Sequence, residues 1–456
     1  MQGMTSTTPP TPAGGWRGRP AGLPGVVPPP SVPLSYLGAA SLGAVGLGVA
    51  LIAFHAVAVG DPSDDRVVAA AHLAMLATLS MGVLGALHQF TPVITQRPLH
   101  SVPLARATFF AWLAGAWLLP VGFATRHETL VEVGGAFAAI AVVLLVVNLW
   151  HALAVRHKGA PVMALRLALG GFVATACYGV IYVIDRRGQW FDLSGHVVLA
   201  HVVVGVFAWL GLSYVGVAEK LWPMFMLAHV PGRRWASWLA VSAIPAGVAL
   251  LSPGLLFGVA GLAWCGAALV VSGLAAHLVS LARHVRHRRR ATDVHLVFVL
   301  SAAGWLVAGL GLALAAQLVI AHDHHRGVAL VAASITAFGG WLLVALVGHA
   351  HKVVPFILWS SLRGRGIQHA PDGRQLMFAD LFSHRWYVAD YVLVMLAVGA
   401  VDVGFAASLG LAIAFGGACL IATGLSVAIN LSWRSLRLIT AARHDAPVPD
   451  RLPATS

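Results

Sequence analysis

The chain carries twelve apolar stretches, each about as long as a bilayer core is thick, with little polar sequence between them. About 20 apolar residues in a helix cross that core. On this template the stretches fall at about 34–59, 67–91, 104–124, 129–155, 162–184, 195–222, 235–251, 253–282, 293–320, 328–358, 387–408 and 409–433. Lipid offers the backbone no hydrogen-bond partners, so each stretch is expected as a helix. Over 456 residues the chain is 59% hydrophobic and 10% charged, whereas roughly a quarter of a soluble protein is charged. That excludes a water-soluble enzyme, a secreted disulfide scaffold and a disordered chain. The expected fold is all-α and polytopic. The seventh stretch is short, and the last two are divided only around Gly404 to Gly410, so an eleven-span reading stays open.

Charge placement tests the count. With twelve spans and the N-terminus inside, 24 of the 29 Lys and Arg fall in the tails, the loops after even spans, or the span ends beside them. Only Arg66, Arg126, Arg186, Arg187 and Arg326 fall outside. This positive-inside bias places both termini in the cytoplasm and the protein in the cell membrane. It also accounts for the net charge of +13 without nucleic acid. The basic run Arg283 to Arg290 becomes a loop facing anionic lipid headgroups. Residues 1–33 hold nine prolines and read as a disordered cytoplasmic tail. The membrane domain covers 34–437, and 438–456 forms a second cytoplasmic tail. Cys177, Cys265 and Cys419 lie singly in apolar stretches and read as small buried residues.

Three segments share one pattern: Gly85-Ala-Leu-His-Gln89-Phe-Thr-Pro92, Gly216-Val-Ala-Glu-Lys220-Leu-Trp-Pro223 and Gly348-His-Ala-His-Lys352-Val-Val-Pro355. Their glycines are 131 and 132 residues apart, and each segment closes an inward-running span, namely 2, 6 and 10. Twelve spans thus divide into three pseudo-repeats of four, at about 34–158, 159–290 and 291–437. Glycine permits close helix contact, proline interrupts the helix ladder, and the long polar side chain sits at the membrane boundary. Three four-helix units imply a ring with spans 2, 6 and 10 inside, and sites between repeats.

Residue-level patterns join this plan. Span 2 reads His72-Leu-Ala-Met75, Gly82, Gly85 and Phe90-Thr-Pro92, and Pro103-Leu-Ala-Arg106-Ala-Thr-Phe-Phe-Ala-Trp112 follows. Span 6 carries His201 and ends Lys220-Leu-Trp-Pro223-Met224-Phe225. The plan and these motifs resemble the haem-copper oxidase catalytic subunit (subunit I), architecturally over about 34–433 and at motif level in spans 2, 6 and 10. The resemblance implies haem b with His72 as an axial ligand, and a role in electron transfer or in handling oxygen or nitric oxide. Span 7 lacks the oxidase copper histidines, and Ala332 to Thr336 lacks the early His-x-His of span 10. Copper at the oxidase position, and with it a binuclear centre, is therefore not expected.

Intramembrane polar residues are costly, so each histidine there calls for a reason. Measured back from the repeat proline, His72 lies at 20 residues and His201 at 22. They sit at comparable depth, so a haem between spans 2 and 6 is geometrically allowed. His196 and His55 are further candidates in the outer half. His196 and His201 are about 140° apart on a helix, so both do not easily face one metal. At the inner end His88, Glu219 and His351 occupy the same repeat position, with Lys220, His349 and Lys352 close by. This group reads either as a proton or ion pathway or as boundary charges that pair and snorkel. His322, His324 and His325 in an outer loop are of a type that binds zinc or copper, or are simply exposed.

The leading expectation is an oxidase-like membrane protein that binds haem b through His72 and His201. Its partners would be the lipid bilayer and an electron-transfer protein or another membrane subunit. Two alternatives remain open: a proton- or ion-coupled transporter on the same threefold scaffold, and a non-catalytic assembly partner.

Overall fold

The computed structural model describes residues 26–444 apart from 62, 157–158, 194, 233, 320–322 and 371–372. Twelve helices are long and apolar enough to cross a membrane. Spans 1–4 are Ser31–Gly60, Asp65–Thr95, Val102–Thr125 and Glu128–Leu153. Spans 5–8 are Gly159–Gly188, Gly195–Met226, Trp235–Leu256 and Ala260–Arg286. Spans 9–12 are Val294–Leu318, Ala329–Gly364, His384–Ala406 and Gly410–Leu431. Span 7 is full length, running helical through both Pro245 and Pro253. Spans 11 and 12 are separate: the chain breaks at Ala407–Leu409, where Ser408 takes a φ of 55°. Twelve crossings replace the eleven-span alternative. The described residues contain no strand, only an isolated bridge between His369 and Gln375 in the loop after span 10.

Spans 2, 6 and 10 form the interior. Of their most apolar stretches 56%, 67% and 61% is buried, against 22–50% in the other nine spans. A helix that must face other helices on every side needs small residues where backbones meet. The repeat glycines serve that purpose alike. A Cβ on Gly85 would lie 2.7 Å from Tyr36 Cβ, one on Gly216 2.9 Å from Ala164 Cβ, and one on Gly348 2.5 Å from Phe298 Cβ. Each inner span thus locks onto the first span of its own unit.

The hairpins behind them repeat too. Spans 3 and 4 meet at Gly115 and Gly134, and spans 7 and 8 at Gly247 and Gly266; each pair lies 132 residues from its counterpart. In the third unit the loop after span 10 shifts the register, and spans 11 and 12 meet at Gly404 and Gly416. Span 12 packs back on span 1 through Gly417 and Gly48, closing the ring.

Each inner span contains a π-helical segment: Leu73–Ser80, Val204–Gly211 and Ile335–Leu343. Their starts are 131 residues apart. Such segments loosen the backbone ladder, and the carbonyls they release need partners. Trp112 Nε1 donates to the Leu76 carbonyl at 3.1 Å, which secures span 3 to the first segment. The repeat prolines do not end the helices. Spans 2 and 6 run three residues further, to left-handed caps at Gln96 and Leu227 whose N–H groups return to the Pro92 and Pro223 carbonyls. Span 10 continues nine residues beyond Pro355, to Gly364.

Phe90, Leu221 and Val353, each five residues after its repeat glycine, pack together where the inner spans converge. Six residues before the glycines, Leu79, Leu210 and Leu342 form a second apolar layer. The loops after even spans define a basic face, and the two His-bearing span starts lie toward the opposite face.

Candidate functional site

Two groups of buried polar side chains stand out, one in each half of the membrane domain. Toward the opposite face, His72 directly precedes the first π segment and His201 lies three residues before the second. The Nδ1 of His72 bonds the Val68 carbonyl at 2.8 Å. A carbonyl only accepts, so Nδ1 carries the proton and Nε2 presents its lone pair. Among the described residues that Nε2 has no partner. The ring packs against Phe123, 5.1 Å between centroids.

His201 lies between Tyr178 and Tyr182, at 6.3 and 5.7 Å. Neither phenol serves it. Tyr182 donates to the Val197 carbonyl at 2.6 Å. Ser252 donates to the Ala200 carbonyl at 3.0 Å, so Tyr178 donates to Ser252 Oγ at 2.8 Å. His201 Nδ1 is buried without a partner.

Above them Arg186 lies over the Phe123 ring at 5.1 Å and bonds both Glu128 and Asp65. This ties the end of span 5 to the starts of spans 4 and 2. Just outside span 2, Asp64 accepts from Arg66 and Arg126. The Arg66 guanidinium and amide beside it hold its carboxyl well below the usual carboxylate range.

The other outer candidates are placed elsewhere. His196 is exposed and bonds the Leu255 carbonyl at 2.8 Å, pinning the start of span 6 to the end of span 7. His55 is half-buried and bonds the Ile52 carbonyl. His322 and the side chains of His324 and His325 lie outside the described residues. No group of three or more His, Cys, Asp or Glu that could hold a metal ion occurs among the described residues.

Toward the basic face the three repeat-equivalent residues do not form one vestibule. Each is engaged within its own unit. Glu219 accepts from Ser237 of span 7 and Ser280 of span 8, both at 2.6 Å. His351 bonds the Val347 carbonyl through Nδ1 at 2.9 Å and Asp390 of span 11 through Nε2 at 2.8 Å. Because Nδ1 is committed as a donor, the Nε2 contact holds one proton between imidazole and carboxyl. Ser426 of span 12 donates to the other Asp390 oxygen, and Tyr387 stacks on the imidazole at 4.2 Å. His88 bonds the Leu84 carbonyl and stacks on Tyr36 at 5.0 Å, with its Nε2 buried and unpartnered. Lys352 does not snorkel. It is buried and paired with Asp293 at 2.7 Å, while its repeat counterpart Lys220 is exposed.

His349 belongs to a third group. Its ring lies 4.8 Å from His295 and 5.7 Å from Tyr214, and Tyr214 also touches His277 at 5.6 Å. His349 Nε2, His295 Nε2 and His277 Nδ1 are buried without partners.

Sequence reasoning missed Ser237, Ser280, Asp293, Ser426, Tyr214, His277, His295 and Arg186. Asp293 had a readable signal, since it accepts from the Leu296 N–H at 3.0 Å as a helix cap should. The serines had none, because isolated hydroxyls occur throughout apolar helices. No family model matches the chain, and no curated protein matches it.

Proposed function

We propose that this protein is a membrane-embedded haem-binding electron-transfer protein on an oxidase-like plan, with His72 and His201 as axial ligands of one b-type haem. One observation supports the reading: two imidazoles beside the π segments of neighbouring inner spans, each with an uncommitted nitrogen, Nε2 of His72 and Nδ1 of His201. An axial ligand needs a neutral ring with one nitrogen free and the other held. His72 meets both conditions through Val68. His201 meets the first, with its tyrosine neighbours bonded elsewhere.

When bound, haem supplies a one-electron couple. The chain's own part is to fix and shield. Val68 sets the His72 tautomer, and Phe123, Tyr178 and Tyr182 keep water from the rings. Arg186 places a guanidinium on Phe123 at the membrane edge, where acidic haem substituents would meet it.

A transport reading on the same scaffold rests on the buried carboxyls of Glu219 and Asp390. Both are bonded within their own units. Neither lines the cavity between the inner spans.

The test is an absorption spectrum of protein purified from haem-replete cells. A low-spin Soret band is expected, lost in both His72→Ala and His201→Ala and kept in Glu219→Gln. A colourless preparation overturns the reading.

A further inference from the structure

Spans 2, 6 and 10, with Leu37 of span 1, line a partly open cavity of about 70 Å³. Its walls repeat with the chain. Two residues before each repeat glycine come Val83, Tyr214 and Leu346; one residue after come Ala86, Val217 and His349. These six are only partly buried, while the inner-span residues flanking them are mostly buried, so they face the void. The cavity therefore lies on the pseudo-threefold axis, between the Leu79 layer and the Phe90 layer. Four of the six are aliphatic. The threefold likeness breaks on one side only, where Tyr214 and His349 are in ring contact at 5.7 Å. Beside them Ser213 Oγ and His349 Nε2 are buried without hydrogen-bond partners.

Size and chemistry select the occupant. The volume is several times the ~10–15 Å³ that admits one water. Water would find polar atoms on one side only, at Ser213, Tyr214 and His349, and a cavity otherwise lined by aliphatic side chains takes apolar atoms or molecules. A charge there would be desolvated with no counter-ion. We infer that this axial cavity is a binding site for a small uncharged molecule, apolar over most of its surface and met on one side by Tyr214 and His349. The inference does not depend on haem, since His72 and His201 line no part of this cavity.

The experiment is structure determination of the full chain under xenon pressure, because xenon is apolar, uncharged and of fitting size. Axial xenon density is expected between Ala86 and Val217. Ala86→Leu, which fills the void, should abolish it, and Val83→Ala, which enlarges the void, should raise its occupancy. Tyr214→Phe should leave it unchanged, since xenon accepts no hydrogen bond. Three results would each overturn the inference: xenon only at lipid-facing surfaces, axial xenon unaffected by Ala86→Leu or by Val83→Ala, or ordered water filling the wild-type cavity. Should Ala86→Leu fail to fold, the Val83→Ala occupancy decides alone.

Discussion

Two sets of buried polar groups in the membrane domain are treated differently. Toward the basic face, Glu219, His351, Asp390 and Lys352 are matched donor to acceptor by neighbours in their own four-helix unit. Toward the opposite face, His72 spends one nitrogen on a backbone carbonyl and His201 spends none on the protein. A polar group in an apolar interior is costly unless paired. Where the pairing is complete, helix packing alone explains the group. Where nitrogens are left over in a well-packed interior, a ligand is the economical explanation. By that rule chemistry is to be sought at His72 and His201 and also at the unpartnered His277, His295 and His349, and structural cost at Glu219 and Asp390.

The largest expected effect tests the structural side. Asp390→Ala removes the acceptor for both His351 and Ser426; the three are buried on three different spans. Breaking one partner out of a buried charged pair costs about 3–5 kcal/mol. Thermal unfolding in detergent should show a large drop in midpoint, with the haem spectrum of the folded fraction intact. The matching change on the other side is His201→Phe, which keeps the ring and removes nitrogens that bond nothing in the chain. In haem-free protein it should shift stability by less than ~1 kcal/mol, and in protein from haem-replete cells it should abolish the low-spin Soret band. If His201→Phe proved as destabilising as Asp390→Ala, the contrast between the two sets would collapse.

How far the sequence announced this contrast depends on which physical signal each part leaves. The ring was legible because close helix contact demands glycine at fixed places, and Gly85, Gly216 and Gly348 recur at constant spacing. A second signal of the same kind, Gly115 and Gly134 against Gly247 and Gly266, was equally present and went unread. The third unit hides its copy because the loop after span 10 lengthens the spacing, so that Gly416 lies 150 residues after Gly266, and because Ala397 stands where Gly247 stands in the second unit. The π segments leave no residue signature, since they answer to tertiary packing such as Trp112 on the Leu76 carbonyl. The partners of Glu219 were illegible for a different reason. Spans 7 and 8 are apolar around much of their circumference, so sequence does not fix which face, and hence whether Ser237 or Ser280, turns inward. The same ambiguity made His88, Glu219 and His351 look like one cluster, when each points into its own unit.

A smaller effect sharpens the comparison within the basic half. Glu219→Gln keeps an oxygen to accept from one serine and offers an amide that the other hydroxyl can accept. The expected loss is about 1 kcal/mol. Glu219→Leu leaves Ser237 and Ser280 without their acceptor and should cost about 2–3 kcal/mol. The ordering Leu worse than Gln, read by unfolding midpoint, separates a hydrogen-bond hub from a carboxylate needed for its charge. A Gln variant as unstable as the Leu variant would say that the charge itself matters there, and would revive the transport reading.

The smallest effect lies at the membrane edge, where Asp64 joins Arg66 and Arg126 across the loops preceding span 2 and following span 3. Here the pairing is surface pairing, with Arg126 largely exposed, and such contacts contribute little and fade with salt. The sign of its pH dependence is nevertheless fixed. The Asp64 carboxyl is held below its unfolded value, chiefly by the Arg66 side chain and amide. Its contribution is therefore complete above about pH 4, where an unfolded aspartate is already ionised, and is lost as pH falls further through the depressed value. The Arg66 amide reports it directly, since it donates to Asp64 Oδ1 at 2.8 Å. Hydrogen-exchange protection of that amide, corrected for the intrinsic rate, should hold from pH 7 to 4 and decline below. Asp64→Asn should lower it at neutral pH. The buried pairs around Asp390 and Glu219 should keep their protection over the same range, because water cannot reach them without helix separation. Equal acid sensitivity at both places would mean that the membrane interior is wetter than its packing implies.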